Sequence, residues 1–152
     1  METENKECVK VIYKVYDKNN NLIQDGSIEK DIVVNSGLSF RAALLGGLIS
    51  PALCAVAIGT GTVTPKPTDT ALGAEVMRTT STNVLKTTNV TNDTLSVSAN
   101  FTFSSAVSIS EFGTFNTTNA NEGIMYSHDL IGPLSMQQGY TLQLIINFIQ
   151  LN

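Results

Sequence analysis

The chain has 152 residues, 42% of them hydrophobic, which is enough for a single domain (residues 1–152) with a buried core. Its net charge is −4 and its nine Lys and Arg are scattered, which excludes the basic stripe that nucleic-acid binding requires. Only 14% of residues are charged against a usual quarter, so the surface is polar but weakly charged, as suits a protein packed against copies of itself or its neighbours.

Residues 1–7, Met1 to Glu7, are acidic and polar, the opposite of a signal peptide, and predict a flexible N-terminal tail. Val9, Val11, Tyr13 and Val15 alternate with Lys10, Ile12, Lys14 and Tyr16. The turn residues Asp17 to Asn21 then lead to Leu22-Ile23-Gln24, so the chain is expected to open with a hairpin. Ile28 to Val34 reads as a third strand. Asn35 or Ser36 is suited to cap a helix from about Leu38 to Leu48, with Leu38, Ala42, Leu45 and Ile49 on one apolar face. The uncharged stretch Ala42 to Ile58 is too short for a membrane span and is broken by Gly46, Gly47 and Pro51, so no membrane partner is expected.

Ala52 to Ile58 predicts a buried strand that begins after Pro51 and is closed by Gly59. Beyond it, Gly59 and Gly61 permit positive φ or close backbone packing, and Pro65 and Pro67 stiffen the loop that carries Thr60, Thr62 and Thr64. Thr68 or Asp69 is expected to cap a short helical turn, with Leu72 and Val76 facing inward and Glu75 pairing with Arg78 on its surface. A phosphate cradle is the rival reading of Gly59-Thr60-Gly61. It fails because Thr64 stands where a dinucleotide fingerprint needs Gly, and no Gly-Lys-Ser/Thr occurs.

Further strands are expected around Val84 to Val90, Ser108 to Phe115 and Ile124 to Ser127, with Asn116 to Gly123 as a polar loop. The clearest alternation is Leu95, Val97, Ala99, Phe101 and Phe103 against Ser96, Ser98, Asn100 and Thr102, a half-buried antiparallel strand entered by a turn at Asn92-Asp93. From Tyr140 to Leu151, Leu142, Leu144, Ile146 and Phe148 occupy one face and Ile145, Ile149 and Leu151 the other. A strand apolar on both faces is covered on both sides, either as a central strand roofed by the Leu38 helix or through a subunit contact. The fold class is therefore mainly β, an antiparallel β-sandwich or jelly-roll-like domain with one short helix.

Candidates for chemistry are few. His128 is the sole histidine. Its neighbours Ser127 and Asp129 point to opposite strand faces and cannot form a relay with it, so it reads as a surface or interface residue. Glu75 and Glu111 are a formal carboxylate pair of the kind glycosidases use, but nothing in the sequence brings them together. Cys8 and Cys54 stand in no metal-binding spacing and are expected to be free thiols, Cys54 in the core and Cys8 ahead of the first strand; a bridge between them is the alternative. No catalytic residue, cofactor or metal ligand is expected.

Two segments carry a resemblance. Ala57-Ile58-Gly59-Thr60-Gly61-Thr62, a Thr/Pro linker and Thr68-Asp69-Thr70-Ala71-Leu72-Gly73-Ala74-Glu75-Val76-Met77-Arg78 form the first. Ser108-Ile109-Ser110-Glu111-Phe112-Gly113-Thr114-Phe115, followed by Gly123-Ile124-Met125-Tyr126-Ser127-His128, forms the second. In order and spacing they resemble a family of small structural proteins of tailed bacteriophages, in which the position of His128 is commonly basic. The resemblance implies a non-enzymatic virion subunit of the tail, neck or a fibre attachment, assembled in the bacterial host cytoplasm. Its expected partners are copies of itself and other virion proteins of tail, neck or capsid. Ile145, Ile149, Leu151, Thr60, Thr62 and Thr64 are the expected oligomer contacts. The alternatives are a carbohydrate-binding β-sandwich at a fibre or spike tip, using Tyr13, Tyr16, Tyr126 or Tyr140, a capsid decoration protein, or a small hydrolase on a β scaffold.

Overall fold

Alternating apolar residues and a side-chain-organised turn make the first hairpin. A computed structural model describes residues 7–30 and 32–151. In it β1 (Glu7–Tyr16) and β2 (Leu22–Lys30) pair antiparallel, and the Asp17 carboxylate accepts the backbone N–H groups of Asn19 and Asn21 at 2.8 and 3.0 Å. Asn20 takes φ 61°, a left-handed conformation that Asn tolerates better than most residues. The expected tail at residues 1–6 lies outside the described residues. Glu7 does not belong to a tail: it is buried at the start of β1. The expected third strand is also corrected, because Ile28 to Lys30 continue β2 and, among the described residues after it, only Val33 makes a β-bridge, to Ser127.

The remaining strands are β3 (Ala55–Gly59), β4 (Glu75–Thr80), β5 (Thr82–Lys86), β6 (Thr94–Thr102), β7 (Val107–Phe115), β8 (Met125–Met136) and β9 (Thr141–Gln150). They form two antiparallel sheets, a five-stranded one in the order β2-β1-β9-β6-β5 and a four-stranded one in the order β4-β3-β7-β8. This is the expected β-sandwich. Its main core lies between the sheets, where Val9, Val11 and Val15 of β1, Val97, Ala99 and Phe101 of β6, and Leu142, Leu144, Ile146 and Phe148 of β9 meet Val56, Ile58, Ile109, Phe112, Ile131 and Leu134. Hydrophobic burial of this kind is the dominant favourable term in folding, about 25 cal/mol per Å² removed from water.

The terminal strand β9 is central in its sheet, between β1 and β6. The helix does not roof it. That helix, α1 (Asn35–Leu45), instead packs against the edge strand β8, where the Ser36 hydroxyl donates to the Met125 carbonyl at 2.9 Å. Its buried face runs through Gly37 and Phe40, and the expected face is outward, with Leu38 at 47% and Leu45 at 88% exposure. The reason is a close approach: a Cβ on Gly37 would collide with the Tyr126 backbone, so the glycine decides which side of the helix meets the sheet. Neither Asn35 nor Ser36 caps α1, whose N-cap is Val34 with no side-chain hydrogen bond.

The expected helical turn at Thr68 to Val76 is absent. Residues 60–74 run as turns and bends over the outer face of the four-stranded sheet, and Glu75 to Thr80 form an edge strand beside β3. Leu72 is buried as expected, but Val76 is 47% exposed. It is the extra residue of a β-bulge, since Ile58 faces Met77 and Gly59 faces Glu75. In a regular strand residues three apart point to opposite faces, and the bulge brings Glu75 and Arg78 back to one face.

Candidate functional site: a carboxylate latch on the outer sheet face

Period-two alternation places Ala55, Ala57 and Gly59 on the side of the four-stranded sheet away from the main core, because Val56 and Ile58 point into it. Glu111 faces Gly59 across the β3–β7 ladder, Gly113 faces Ala57, and His128 faces Gly113 from β8. The register therefore sets Glu111 and His128 side by side under the 60–74 segment.

Glu111 is almost fully buried, at 1% exposure, and its carboxylate is saturated. Oε1 accepts the backbone N–H of Ala74 at 2.7 Å and of Gly61 at 3.1 Å, and Oε2 accepts the N–H of Gly73 at 3.0 Å. His128 Nε2 lies 2.9 Å from Oε2 as well, and its Nδ1 lies 2.9 Å from Asp69 Oδ2. Asp69 in turn accepts the Lys66 N–H at 2.8 Å, while the Ser110 hydroxyl donates to the Gly61 carbonyl at 2.8 Å. An imidazole protonated on both nitrogens donates to both carboxylates, whereas a singly protonated ring donates to one alone. Both ends of the loop and its middle are thus fastened to one β7 carboxylate and one β8 histidine.

The glycines fit this latch by close approach rather than by positive φ. A Cβ on Gly61 would lie 2.5 Å from Glu111 Oε1, and one on Gly59 would lie 2.5 Å from the same oxygen. Neither glycine has a positive φ, so Gly61 requires space for the carboxylate and Gly59 requires space for both the carboxylate and the Ala74 backbone carbonyl. Gly113 has the same function beneath the loop: its missing Cβ would lie 3.0 Å from the Leu72 side chain.

Arg78 forms a second, adjoining clamp. Its Nη2 and Nε donate to the two Glu75 oxygens at 2.6 and 3.2 Å, and its guanidinium lies 3.7 Å above the Phe115 ring. Nη1 reaches the carbonyls of Thr117, Asn119 and Glu122 at 3.2, 2.9 and 2.9 Å, closing the 116–123 loop. The ion pair expected from the sequence is present, but it is buried, with the Arg78 side chain at 2% exposure, and it sits on a strand. Glu75 and Glu111 flank Gly59 from opposite sides, each held by its own partners, so they do not act as a pair.

His128 is therefore corrected from a surface residue to a buried one, at 4% exposure. Asp69 also escaped the sequence reading as its partner. The signal for Glu111 lay in the Gly-x-Gly, which predicts a close backbone approach without naming the group approached. A third buried cluster surrounds Glu7, whose carboxylate accepts the Tyr126 hydroxyl, Arg41 Nη1 at 2.9 Å and Gln150 Nε2 at 2.6 Å, joining both sheets and α1. Burial first, and then the neighbouring Glu7 charge, push the Tyr126 hydroxyl pKa well up. The sequence-expected contact residues are dispersed: Thr60, Thr62 and Thr64 are exposed on the loop, Ile145 is half-buried on the outer face of the five-stranded sheet, and Leu151 is partly exposed. Ile149, at 3% exposure, is already covered within the chain. Cys8, within β1 rather than ahead of it, and Cys54 are both half-buried free thiols.

Burial pushes the Glu111 carboxyl pKa upward, but the N–H groups of Ala74 and Gly73, His128 and the Gly61 N–H outweigh it, so the net shift is downward. Asp69 shifts downward likewise, burial being overcome by the Lys66 N–H and by His128. A depressed folded-state pKa contributes stability that is complete above the unfolded value and lost as pH falls through the folded one. The denaturation midpoint in urea is therefore expected to hold from pH 7 to about the ordinary Glu value of 4.5 and to drop below it. In Glu111→Gln the drop should be shallower. Equal acid sensitivity in the two proteins would show that the latch carboxylate does not contribute.

The arrangement supports fastening more than turnover. A catalytic histidine held by one carboxylate turns its second nitrogen to a nucleophile, and here that nitrogen faces Glu111, whose oxygens are filled by backbone donors. Among the described residues no group of three or more His, Cys, Asp and Glu is arranged to hold a metal ion, and no helix is long and apolar enough to cross a membrane. Comparison with protein-family models, curated proteins and solved structures gives no match to this chain.

Proposed function

We propose that this chain is a non-enzymatic structural subunit of a tailed-bacteriophage virion, a tail, neck or fibre-associated protein that self-assembles on the particle. The observation that carries the reading is that the two segments resembling phage structural proteins meet in one latch. Gly59, Gly61, Asp69, Gly73 and Ala74 of the first are bound to or packed on Glu111 and His128 of the second. Motif residues consumed in holding a loop on a sheet suit a scaffold, whereas a catalytic motif leaves a reactive group open to substrate. The carbohydrate-binding alternative finds less support: Tyr126 is buried against Glu7, and Tyr13 and Tyr140 pack against the main core.

The test has two arms. Mass spectrometry of purified particles of the phage that encodes the chain should find it in a fixed multiple copy number, and its absence from the particle would overturn the virion reading. The isolated protein should turn over no peptide, ester or glycan substrate. Reproducible turnover abolished by His128→Ala would overturn the non-enzymatic reading.

A further inference from the structure

The two flanks of the sandwich are finished differently. On one, the edge strand β8 is covered by the Val33 bridge to Ser127, by the Val34 N–H donating to the Tyr126 carbonyl and by α1, while the edge strand β2 exposes Leu22 and Ile23 next to its turn but carries the exposed charges Asp25 and Glu29 along the rest of its length. Covering and charging are the usual protections of a sheet edge. On the other flank, Ser81 alone separates β4 from β5, so the edge strands of both sheets lie together. All five residues of β5 are exposed, and the only charge among them is Lys86. Val84 and Leu85 of β5 and Val76 of β4 are exposed at 46, 61 and 47%.

We infer that β5 is a self-pairing edge, on which a second copy of this chain docks antiparallel about a twofold axis at Val84 to make one continuous sheet across the two protomers. The self-complementarity of the strand selects this occupant. Centring the pair on Val84 sets Val84 against Val84, Asn83 against Leu85 and Thr82 against Lys86, so no like charges face each other and the β-branched valines meet at the centre. A twofold contact uses the same patch on both subunits, which this register satisfies. Backbone groups along the edge, which no strand among the described residues pairs, provide the hydrogen bonds and the exposed valines and leucine the apolar area. Val84 faces Ser96 on the outer side of the five-stranded sheet, so the contact does not draw on the core.

The inference rests on the self-assembling reading above, and the experiment separates the two. Light scattering on the full chain after size exclusion should give a dimer or a higher even-numbered assembly. Val84→Lys, which sets two lysines face to face at the axis, should lower the mass at least twofold while keeping the unfolding midpoint of the wild type diluted to monomer. Mixing Val84→Lys with Val84→Glu should restore the assembly. A wild-type protein that is monomeric throughout overturns both readings. An oligomer that survives Val84→Lys overturns only the β5 edge. Hydrogen exchange on the wild-type protein checks the edge without a variant: those amides of residues 82–86 that point away from β6 should be at least tenfold slower in the oligomer than on dilution to monomer, and equal rates at both concentrations would overturn the pairing.

Discussion

Glu111→Ala is expected to cost about 3–5 kcal/mol of folding stability, read from urea denaturation at pH 7, because it removes the one acceptor that satisfies three backbone donors and faces His128. The size follows from the asymmetry of buried hydrogen bonds. A bond to a charged group is worth about 1.5–3 kcal/mol net, but leaving its donor unsatisfied incurs the full desolvation penalty. The donors here belong to loop segments that partly open to water, so the loss should stay below the sum of the individual bonds. Glu111→Gln conserves volume and one carbonyl oxygen but turns an N–H donor toward other donors, and about half the loss is expected. Domains of this size are stable by only about 5–15 kcal/mol, so the alanine variant should lose a large part of that margin. Hydrogen exchange should show the 60–74 segment opening well before the sheets. An alanine variant within about 1 kcal/mol of the wild type would mean that the loop is held by Leu72 and the prolines instead.

Much of the architecture was legible because sheet periodicity is local. The alternation from Leu95 to Phe103 and the apolar run from Tyr140 to Leu151 mark strands directly, and the structure places them as β6 and the central strand β9, although Ser96 on the expected polar face is buried, Ile145 is half-buried and Leu151 is exposed. What failed depended on a single partner far away in sequence. The face of α1 is chosen by the missing side chain of Gly37 against Tyr126, which a count of apolar residues cannot register. Residues 68–76 have a helix-like capping pattern, yet Glu75 onward pairs with the edge of β3 while Asp69, Gly73 and Ala74 are bound to His128 and Glu111, so tertiary partners overrode local propensity. The site was legible in half. Gly59 and Gly61 announced a close approach, and the pairing of Glu75 with Arg78 was visible as a spacing. The convergence of Asp69, Glu111 and His128 requires the β3-β7-β8 register, which only the whole sheet supplies.

Arg78→Met should lower stability by about 3–5 kcal/mol, comparable to the Glu111 loss, although a methionine fills much of the same volume over Phe115. The guanidinium meets three demands at once: it neutralises the buried Glu75, covers the aromatic face and donates to three carbonyls of the 116–123 loop. Removing it leaves a carboxylate without its cation at a site where the Glu75 side chain is only 10% exposed. Arg78→Lys should restore little, since a lysine presents a point charge and cannot hold both Glu75 oxygens while reaching the loop carbonyls. The double variant Arg78→Met with Glu75→Gln distinguishes the contributions. If the unpaired charge dominates, the double variant should recover about 1–3 kcal/mol of the loss, a coupling typical of residues in direct contact. If the loop carbonyls dominate, it should recover almost nothing, and amide exchange in residues 116–123 should be equally fast in the single and double variants. An Arg78→Met protein as stable as the wild type would show that the bulge at Val76 positions the pair without any energetic need for it.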